Sequence, residues 1–295
     1  MRIIYIGAVD FSYHCLTEIL KNKGDIVGII TSKNDHINSD FCDLTPISDD
    51  FNIPIHYCKN INDPVTIKWI KNKKPDIVFC LGWSQIIKKE LLSLPKKGIV
   101  GVHPALLPKN RGRHPLIWSL VLGLRESGLT FFFMDEGTDS GPILSQERFI
   151  IQEEDTANDL YKKIKGLATK QIAEFLPNLI VDNYQAITQD SEQASYWRKR
   201  SKKDGVIDWR MSEVAILNLV RALTRPYPGA QFMYQDQMIT VWSVYKYDRP
   251  VPSNMEPGRI IAVLQNRPVI KCMDGAILVD RFEPIVDFTI GEYST

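Results

Sequence analysis

The chain has 295 residues, enough for about two domains at roughly 150 residues each. Its 44% hydrophobic and 24% charged residues, with 17 Gly and 17 Pro, exclude the disordered, collagen-like and disulfide-stapled classes. Lys and Arg number 36 against 35 Asp and Glu, a formal net charge of +1, so no overall field draws the protein to nucleic acid or to an anionic membrane. The five cysteines, Cys15, Cys42, Cys58, Cys80 and Cys272, contain no C-x-x-C pair. They read as reduced, mostly buried thiols and not as a disulfide or zinc framework, so no metal is expected. The opening MRIIYIGAVDF carries too short an apolar run for a signal-peptide core. No stretch approaches the roughly 18 apolar residues of a spanning helix, and a cytoplasmic location with no membrane contact is the expectation.

In order along the sequence, the apolar run Arg2 to Ile6 is a strand ended by Gly7, Ser12 to Lys23 a helix, and Ile26 to Thr31 a second strand, which makes a β-α-β opening. The rhythm continues with a strand at Ile53 to His56, a helix at Pro64 to Asn72, and buried strands at Asp76 to Leu81 and Ile99 to His103. Next come a helix end at Gly123, the strand LTFFFM, a partner strand at Glu147 to Ile151 and a long amphipathic helix from Asp155 to Leu179. Near-continuous apolar strands alternating with helices predict a Rossmann-like α/β domain, a mostly parallel sheet with helices on both faces. The polar run Asp190 to Asp208 shows neither period, so residues 1–190 are expected as the catalytic domain, 191–208 as a linker and 209–295 as a second domain. That second domain reads as one helix, Ser212 to Leu223, and five short strands at Ala230 to Tyr234, Ile239 to Tyr245, Arg259 to Leu264, Val269 to Met273 and Ala276 to Phe282. Such spacing predicts a small OB-like β-barrel.

An open parallel sheet binds its ligand beyond the carboxyl ends of its strands, which points to the loops after Leu81, Val102 and Met134. The first strand ends in G-A-V-D-F without the further glycines of a dinucleotide fingerprint, and no P-loop or G-x-S-x-G sequence occurs, so those chemistries lack support. The informative stretch runs from Gly98 to Gln146. His103 closes a buried strand and is followed at once by Pro104, while Asp139 sits among turn residues after another buried strand. If the two strand ends are neighbours the residues meet, and a carboxylate beside an imidazole makes a proton-transfer group suited to neutral pH. The plainer alternatives are a structural histidine and a turn aspartate.

The stretch resembles the folate-dependent formyltransferases, whose signature runs approximately N-x-H-x-S-L-L-P-x-x-R-G and then D-x-G-x-D-[TS]-G. His103, Leu106, Leu107, Pro108, Arg111, Gly112, Asp135, Gly137, Asp139, Ser140 and Gly141 match it in order and spacing. The resemblance extends to the opening strand and to NLVRALTRPYPGAQF with the later strand TVWS. It implies formyl transfer from N10-formyltetrahydrofolate to a primary amine, with His103 stabilising the developing oxyanion or moving a proton and Asp139 orienting His103. The folate cleft it implies maps onto Trp83, Ser84, Gln85, Ile86 and Ile87 with Met134, Asp135, Glu136 and Gly137; Ile86 and Ile87 read equally well as core. One departure stands out, because the family's Asn two residues before the His is Gly101 here. A substitute side-chain donor such as Asn110 or Ser84, a backbone N–H, or a weak enzyme are the three accounts; a substitute donor is the one expected, with Asn110 as the candidate and an ordinary loop-turn residue as its plainer reading.

For the acceptor, Pro108, Lys109, Arg111, Gly112 and Arg113 place cations beside His103 that suit a phosphate-bearing substrate, with a solvated charged face as the alternative. WRKRSKK, residues 197–203, is either an RNA patch or a solvated connection. The segment TSKNDHINSDFCDLTPISDD, which corresponds to a basic tRNA-binding insertion in methionyl-tRNA formyltransferases, is acidic here. Phosphates demand the opposite charge. R-G-R in place of the R-G-A-A-P of the tRNA enzymes points the same way. The reading is therefore a sugar N-formyltransferase, similar to UDP-4-amino-4-deoxy-L-arabinose formyltransferases, acting on a nucleotide-linked amino sugar for lipopolysaccharide or another glycan. A methionyl-tRNA formyltransferase and an inactive folate-binding homologue are the alternatives. Nucleic-acid contact is not expected, and the resemblance makes a homodimer an expectation.

Overall fold

The structure, a computed structural model, describes residues 1–33 and 40–295, so part of the acidic segment 31–50 lies outside the described residues. The protein divides into two compact units. One comprises Met1–Pro115, Ser127–Phe149 and Lys162–Trp197, the other Leu116–Glu126, Ile150–Tyr161 and Arg198–Thr295.

The first elements are β1 (Arg2–Ile6), α1 (Asp10–Lys21), β2 (Asp25–Thr31), α2 (Thr45–Asp50), β3 (Ile55–Tyr57), α3 (Pro64–Lys73), β4 (Ile77–Cys80), α4 (Lys89–Leu92) and β5 (Ile99–His103). They are followed by β6 (Arg111–Gly112), α5 (Pro115–Val121), β7 (Glu126–Phe133), β8 (Ile143–Ile150), α6 (Ala157–Ile180) and β9 (Tyr196–Trp197). A seven-stranded sheet runs in the order β3-β2-β1-β4-β5-β7-β8. The first five strands are parallel to their neighbours, and β7 is antiparallel to β5.

Successive residues of a strand face opposite sides of its sheet. On β4, Val78 and Cys80 pack with Ile70 of α3 and Leu91 of α4. Phe79, between them, stacks on Phe175 of α6 at 6.3 Å. Both faces of the strand are therefore dry, which is why the sequence shows a continuous apolar run there and no alternation. The turn after β1, where a dinucleotide fold would receive a phosphate, is filled by α1. Ser12 Oγ accepts from the Ala8 and Val9 N–H groups at 3.1 and 3.2 Å and donates to Leu81 C=O at 2.6 Å. The same hydroxyl starts α1 two residues earlier than expected.

The second unit carries α7 (Glu213–Leu223) and β10 (Ala230–Tyr234), β11 (Gln237–Lys246), β12 (Ile260–Leu264), β13 (Arg267–Lys271) and β14 (Ala276–Glu283). The strands form an antiparallel sheet ordered β10-β11-β14-β13-β12. Its two edges are bridged by the C-terminal tail: Met233 and Thr295 exchange backbone hydrogen bonds at 2.6 and 2.9 Å, and Ile260 N–H donates to Glu292 C=O at 2.9 Å. The tail thus pairs with backbone groups on both edge strands of the sheet, which would otherwise be open. Ser212 caps α7 by accepting from Ala215 N–H. Its buried Ile216, Leu219, Val220 and Leu223 lie at the i, i+3, i+4, i+7 spacing of one helix face. Cys15, Cys58, Cys80 and Cys272 are buried free thiols, and burial pushes Cys80 up to about 12.

Candidate active site

His103 ends β5 opposite Thr130 of β7. Thr130 Oγ1 donates to Ala105 C=O at 2.6 Å, and Gln146 Nε2 donates to Leu107 C=O and to Thr130 Oγ1 at 2.9 Å each. These bonds fix the path of the backbone as it leaves the strand. The imidazole is 4% exposed. Its Nε2 lies 2.7 Å from the backbone carbonyl oxygen of Asn110, which can only accept, so Nε2 carries the proton in this arrangement. Nδ1 lies 3.5 Å from Asp139 Oδ2, an ion-pair distance longer than a good hydrogen bond. Asp139 has a left-handed backbone, φ +51°, and its Oδ2 also accepts from Gly112 N–H at 2.9 Å.

His103 and Asp139 thus come together, but not as the ends of two parallel strands. Because β7 is antiparallel, its C-terminal end lies beside the start of β5, where Met134 N–H donates to Ile99 C=O at 2.7 Å. The loop from Asp135 to Gly141 must fold back along β5 to bring Asp139 to the far end of that strand. Asp135 stiffens the return, its Oδ1 accepting from Gly137 N–H at 2.9 Å and Ser140 Oγ at 2.7 Å. A Cβ on Gly141 would stand 1.8 Å from Phe133 C=O, so only glycine fits the close approach.

The sequence reading missed the residues that hold this loop. The run expected as an unstructured linker contributes β9, which pairs in parallel with β6. Just before it, the buried Gln189 donates from Nε2 to Asp139 C=O at 2.9 Å and Gly141 C=O at 2.7 Å. Its Oε1 accepts from Arg111 Nε at 3.2 Å and Nη2 at 2.7 Å. A glutamine in a polar tract carries no signal of its own; only the fold shows it.

Arg111 corrects an expectation. It is 3% exposed, with Nη1 on Tyr196 OH at 2.8 Å in addition to Gln189, so its cation is spent inside the protein and does not face a substrate phosphate. Lys109 and Arg113 are exposed, and Arg113 Nη1 donates to Ser84 C=O at 3.2 Å. That contact joins the two segments the sequence assigned to acceptor and folate. Pro108 and Gly112 are half-buried.

In the loop after β4, Gln85 is taken up by structure: its Oε1 accepts from Ile61 N–H and its Nε2 donates to Lys59 C=O. The backbone carbonyls of Ser84 and Ile86 are already engaged by Arg113 and Asn62. Ile87 is core, 5% exposed, whereas Ile86 is 77% exposed. Trp83 packs on the core with Met134, and its indole N–H is buried with no partner. The indole N–H groups of Trp209 and Trp242 are in the same state. Glu136 is paired with Lys89 at 2.8 Å.

Gly101 sits beside Cys80 on β4. A Cβ there would meet Met134 Cγ at 3.0 Å, Met134 Sδ at 3.2 Å and Phe132 Cζ at 3.3 Å, so Met134 fills the space a side chain would use. Asn110 meets His103 with its backbone carbonyl, and its Oδ1 accepts from Ser195 Oγ at 3.3 Å.

In the second unit, Arg198 and Arg200 stack on Trp118, with Cζ 5.2 and 4.6 Å from the ring centroid. Arg198 also chelates Asp204, from Nη1 at 2.9 Å and from Nη2, and holds that carboxyl well below the usual carboxylate range. Two cations of the basic run are therefore packing elements, which weakens its reading as an RNA patch. Among the described residues no group of three or more His, Cys, Asp or Glu could hold a metal, and no helix is long and apolar enough to cross a membrane.

Comparison with known proteins agrees with this architecture. The chain is 34% identical, over 92% of its length, to the bifunctional polymyxin resistance protein ArnA of Wigglesworthia glossinidia brevipalpis, of which it spans only 41%. It is 31% identical over 89% of its length to the methionyl-tRNA formyltransferase of Alkaliphilus oremlandii, covering 85% of that protein. A crystal structure of WlaRD, a sugar 3N-formyl transferase in the presence of dTDP and 5-N-formyl-THF, superposes with a TM-score of 0.70 at 24% identity, over 94% of this protein and 96% of that one. Residues 1–176 match the formyl transferase family model, and residues 199–286 match the model of the formyl transferase C-terminal domain. On these matches the protein belongs to the formyl transferase family and is a formyltransferase.

Proposed function

We propose that the protein moves the formyl group of N10-formyltetrahydrofolate to the primary amine of a nucleotide-linked amino sugar. The observation that carries the chemistry is the buried His103 held between the Asn110 carbonyl and the Asp139 carboxylate. The folate supplies a formyl carbon on a nitrogen leaving group. As the new C–N bond forms and the old one breaks, the acceptor amine loses one proton and the folate nitrogen gains one. To carry that proton His103 releases Nε2 from the Asn110 carbonyl, its partner at 2.7 Å, while Asp139 stays beside Nδ1. The exposed Ile86 suits the apolar face of a flat heterocycle.

The acceptor assignment is supported by charge. Beyond β2, where a tRNA-reading insertion needs cations, the exposed residues Asp43, Asp49 and Asp50 are acidic, while Lys109 and Arg113 follow His103 closely in sequence. A small diphosphate-linked substrate fits that distribution better than a polyanion. Methionyl-tRNA formyltransferases are comparably similar in sequence to ArnA, so Met-tRNA is the contrasting acceptor. The test is transfer from N10-formyltetrahydrofolate to a panel of UDP-, dTDP- and GDP-linked 3-amino and 4-amino sugars and to Met-tRNA. Formylation of one sugar nucleotide is the expected result; formylation of Met-tRNA alone overturns the acceptor, and folate binding without any transfer overturns the activity.

A further inference from the structure

We propose that Gln189 is a positioning residue for the reaction, a clamp that sets Asp139 against His103; the proposal rests on the catalytic reading of that pair. Gln189 lies between the two family-model matches that end at 176 and begin at 199. All the bonding capacity of its carboxamide toward this site is used. Two guanidinium N–H groups of Arg111 reach Oε1, and the amide nitrogen donates to the carbonyls of Asp139 and Gly141.

Those two carbonyls lie two residues apart in the loop that folds back along β5. Asp139, with φ +51°, turns the loop where its carboxylate faces His103 Nδ1. The ladder of β7 to β5 stops at Phe133, and Phe133 N–H donates to Pro142 C=O at 2.8 Å, so strand pairing fixes the base of the loop, five or more residues before the turn at Asp139 on one side and three after it on the other. Gln189 grips the turn on the backbone, so the carboxylate stays free for Gly112 N–H and His103.

The same segment acts on the other side of the ring. Ser195 Oγ accepts from Asn110 N–H at 2.8 Å, and Ser195 C=O accepts from Arg111 N–H at 2.9 Å. Asn110 is thereby held with φ +63° and its C=O on His103 Nε2. Arg111 links the two grips through its side chain. The 189–197 segment therefore fixes the partners of both ring nitrogens without touching the ring. A glutamine suits the task because one planar group both accepts and donates. A buried replacement lacking either half leaves polar groups unpaired.

The experiment compares Gln189→Leu, Asp139→Ala and the double variant in the intact protein. In Gln189→Leu, kcat is expected to fall about 10- to 100-fold, the scale of a misplacement of about 1 Å, with KM for folate and acceptor within about twofold. In the Asp139→Ala background the same change is expected to alter kcat by less than about twofold, since a residue that acts through Asp139 has nothing left to position. The ring 15N resonances of His103, identified among the five histidines by their loss in His103→Asn, are expected to move in Gln189→Leu toward their Asp139→Ala positions. Should Gln189→Leu fail to fold, Gln189→Glu carries the test, because it keeps the acceptor for Arg111 and faces oxygen to the two carbonyls. Full kcat in a folded Gln189 variant, an equal loss in the Asp139→Ala background, or unmoved His103 resonances each overturn the proposal. The resonance arm needs no substrate, so it decides the clamp even if every acceptor in the panel is inert.

Discussion

The replacement of the family's asparagine by Gly101 is built into the packing, and a two-position cycle measures it. Gly101 has no left-handed backbone, so Gly101→Ala narrows the unfolded ensemble and by itself stabilises by about 0.4–1 kcal/mol. Against that, the new Cβ meets Met134 Cγ at 3.0 Å and Sδ at 3.2 Å, and overpacking of this kind costs about 1–3 kcal/mol. The net expectation is a loss of about 1 kcal/mol, or a fall of about 2–4 °C in Tm for a domain of this size. A Met134→Ala background removes the two nearest contacts and leaves Phe132 Cζ at 3.3 Å, and the same substitution becomes neutral or slightly stabilising, a coupling of about 1.5 kcal/mol. Urea titration of the four proteins, followed by near-UV circular dichroism and compared by midpoint, reads the coupling. An equal effect of Gly101→Ala in both backgrounds would refute the claim that Met134 occupies the side-chain space at 101. The same cycle with asparagine adds a rate measurement: Gly101→Asn with Met134→Ala has room for a family-like donor, whereas Gly101→Asn alone does not.

Further expectations follow from the site. His103→Asn and Asp139→Ala should each lower kcat by about 10²–10⁴-fold with the fold intact, and near-wild-type turnover in either removes that residue from the mechanism. Arg111→Met leaves Gln189 Oε1 and Tyr196 OH without their donor and should destabilise by about 1–3 kcal/mol; an unchanged Tm would contradict the buried network. Asp204 is held below the usual carboxylate range, first by its hydrogen bond from Arg198. A depressed carboxyl contributes stability above its unfolded pKa of about 3.9 and loses it as pH falls toward the folded value. The Tm gap between the parent and Asp204→Asn should accordingly be constant from about pH 5 to 8 by this linkage and shrink in stronger acid; a gap that widens there would reverse the sign.

The sequence by itself determined the parts that depend on local chemistry. Continuous apolar runs marked β1, β2, β4 and β5 because both faces of those strands are covered, and Ser212 with a four-position apolar stripe marked α7 within one residue. The spacing of His103, Arg111 and Asp139 was enough to indicate the family. What the sequence did not carry is anything set by direction or by partners far along the polypeptide. Nothing in LTFFFM says that its strand runs against β5, yet that direction forces the loop after it to double back before Asp139 can meet His103. Arg111 in a charged run looks like a surface cation until Gln189 and Tyr196, 78 and 85 positions away, enclose it. Gly101 shows a missing donor, but only packing shows Met134 in its place. Short-range pattern records what each residue prefers; which side groups share the interior, and so which charges are spent on structure and which remain for chemistry, is decided by contacts that exist only once the protein has folded.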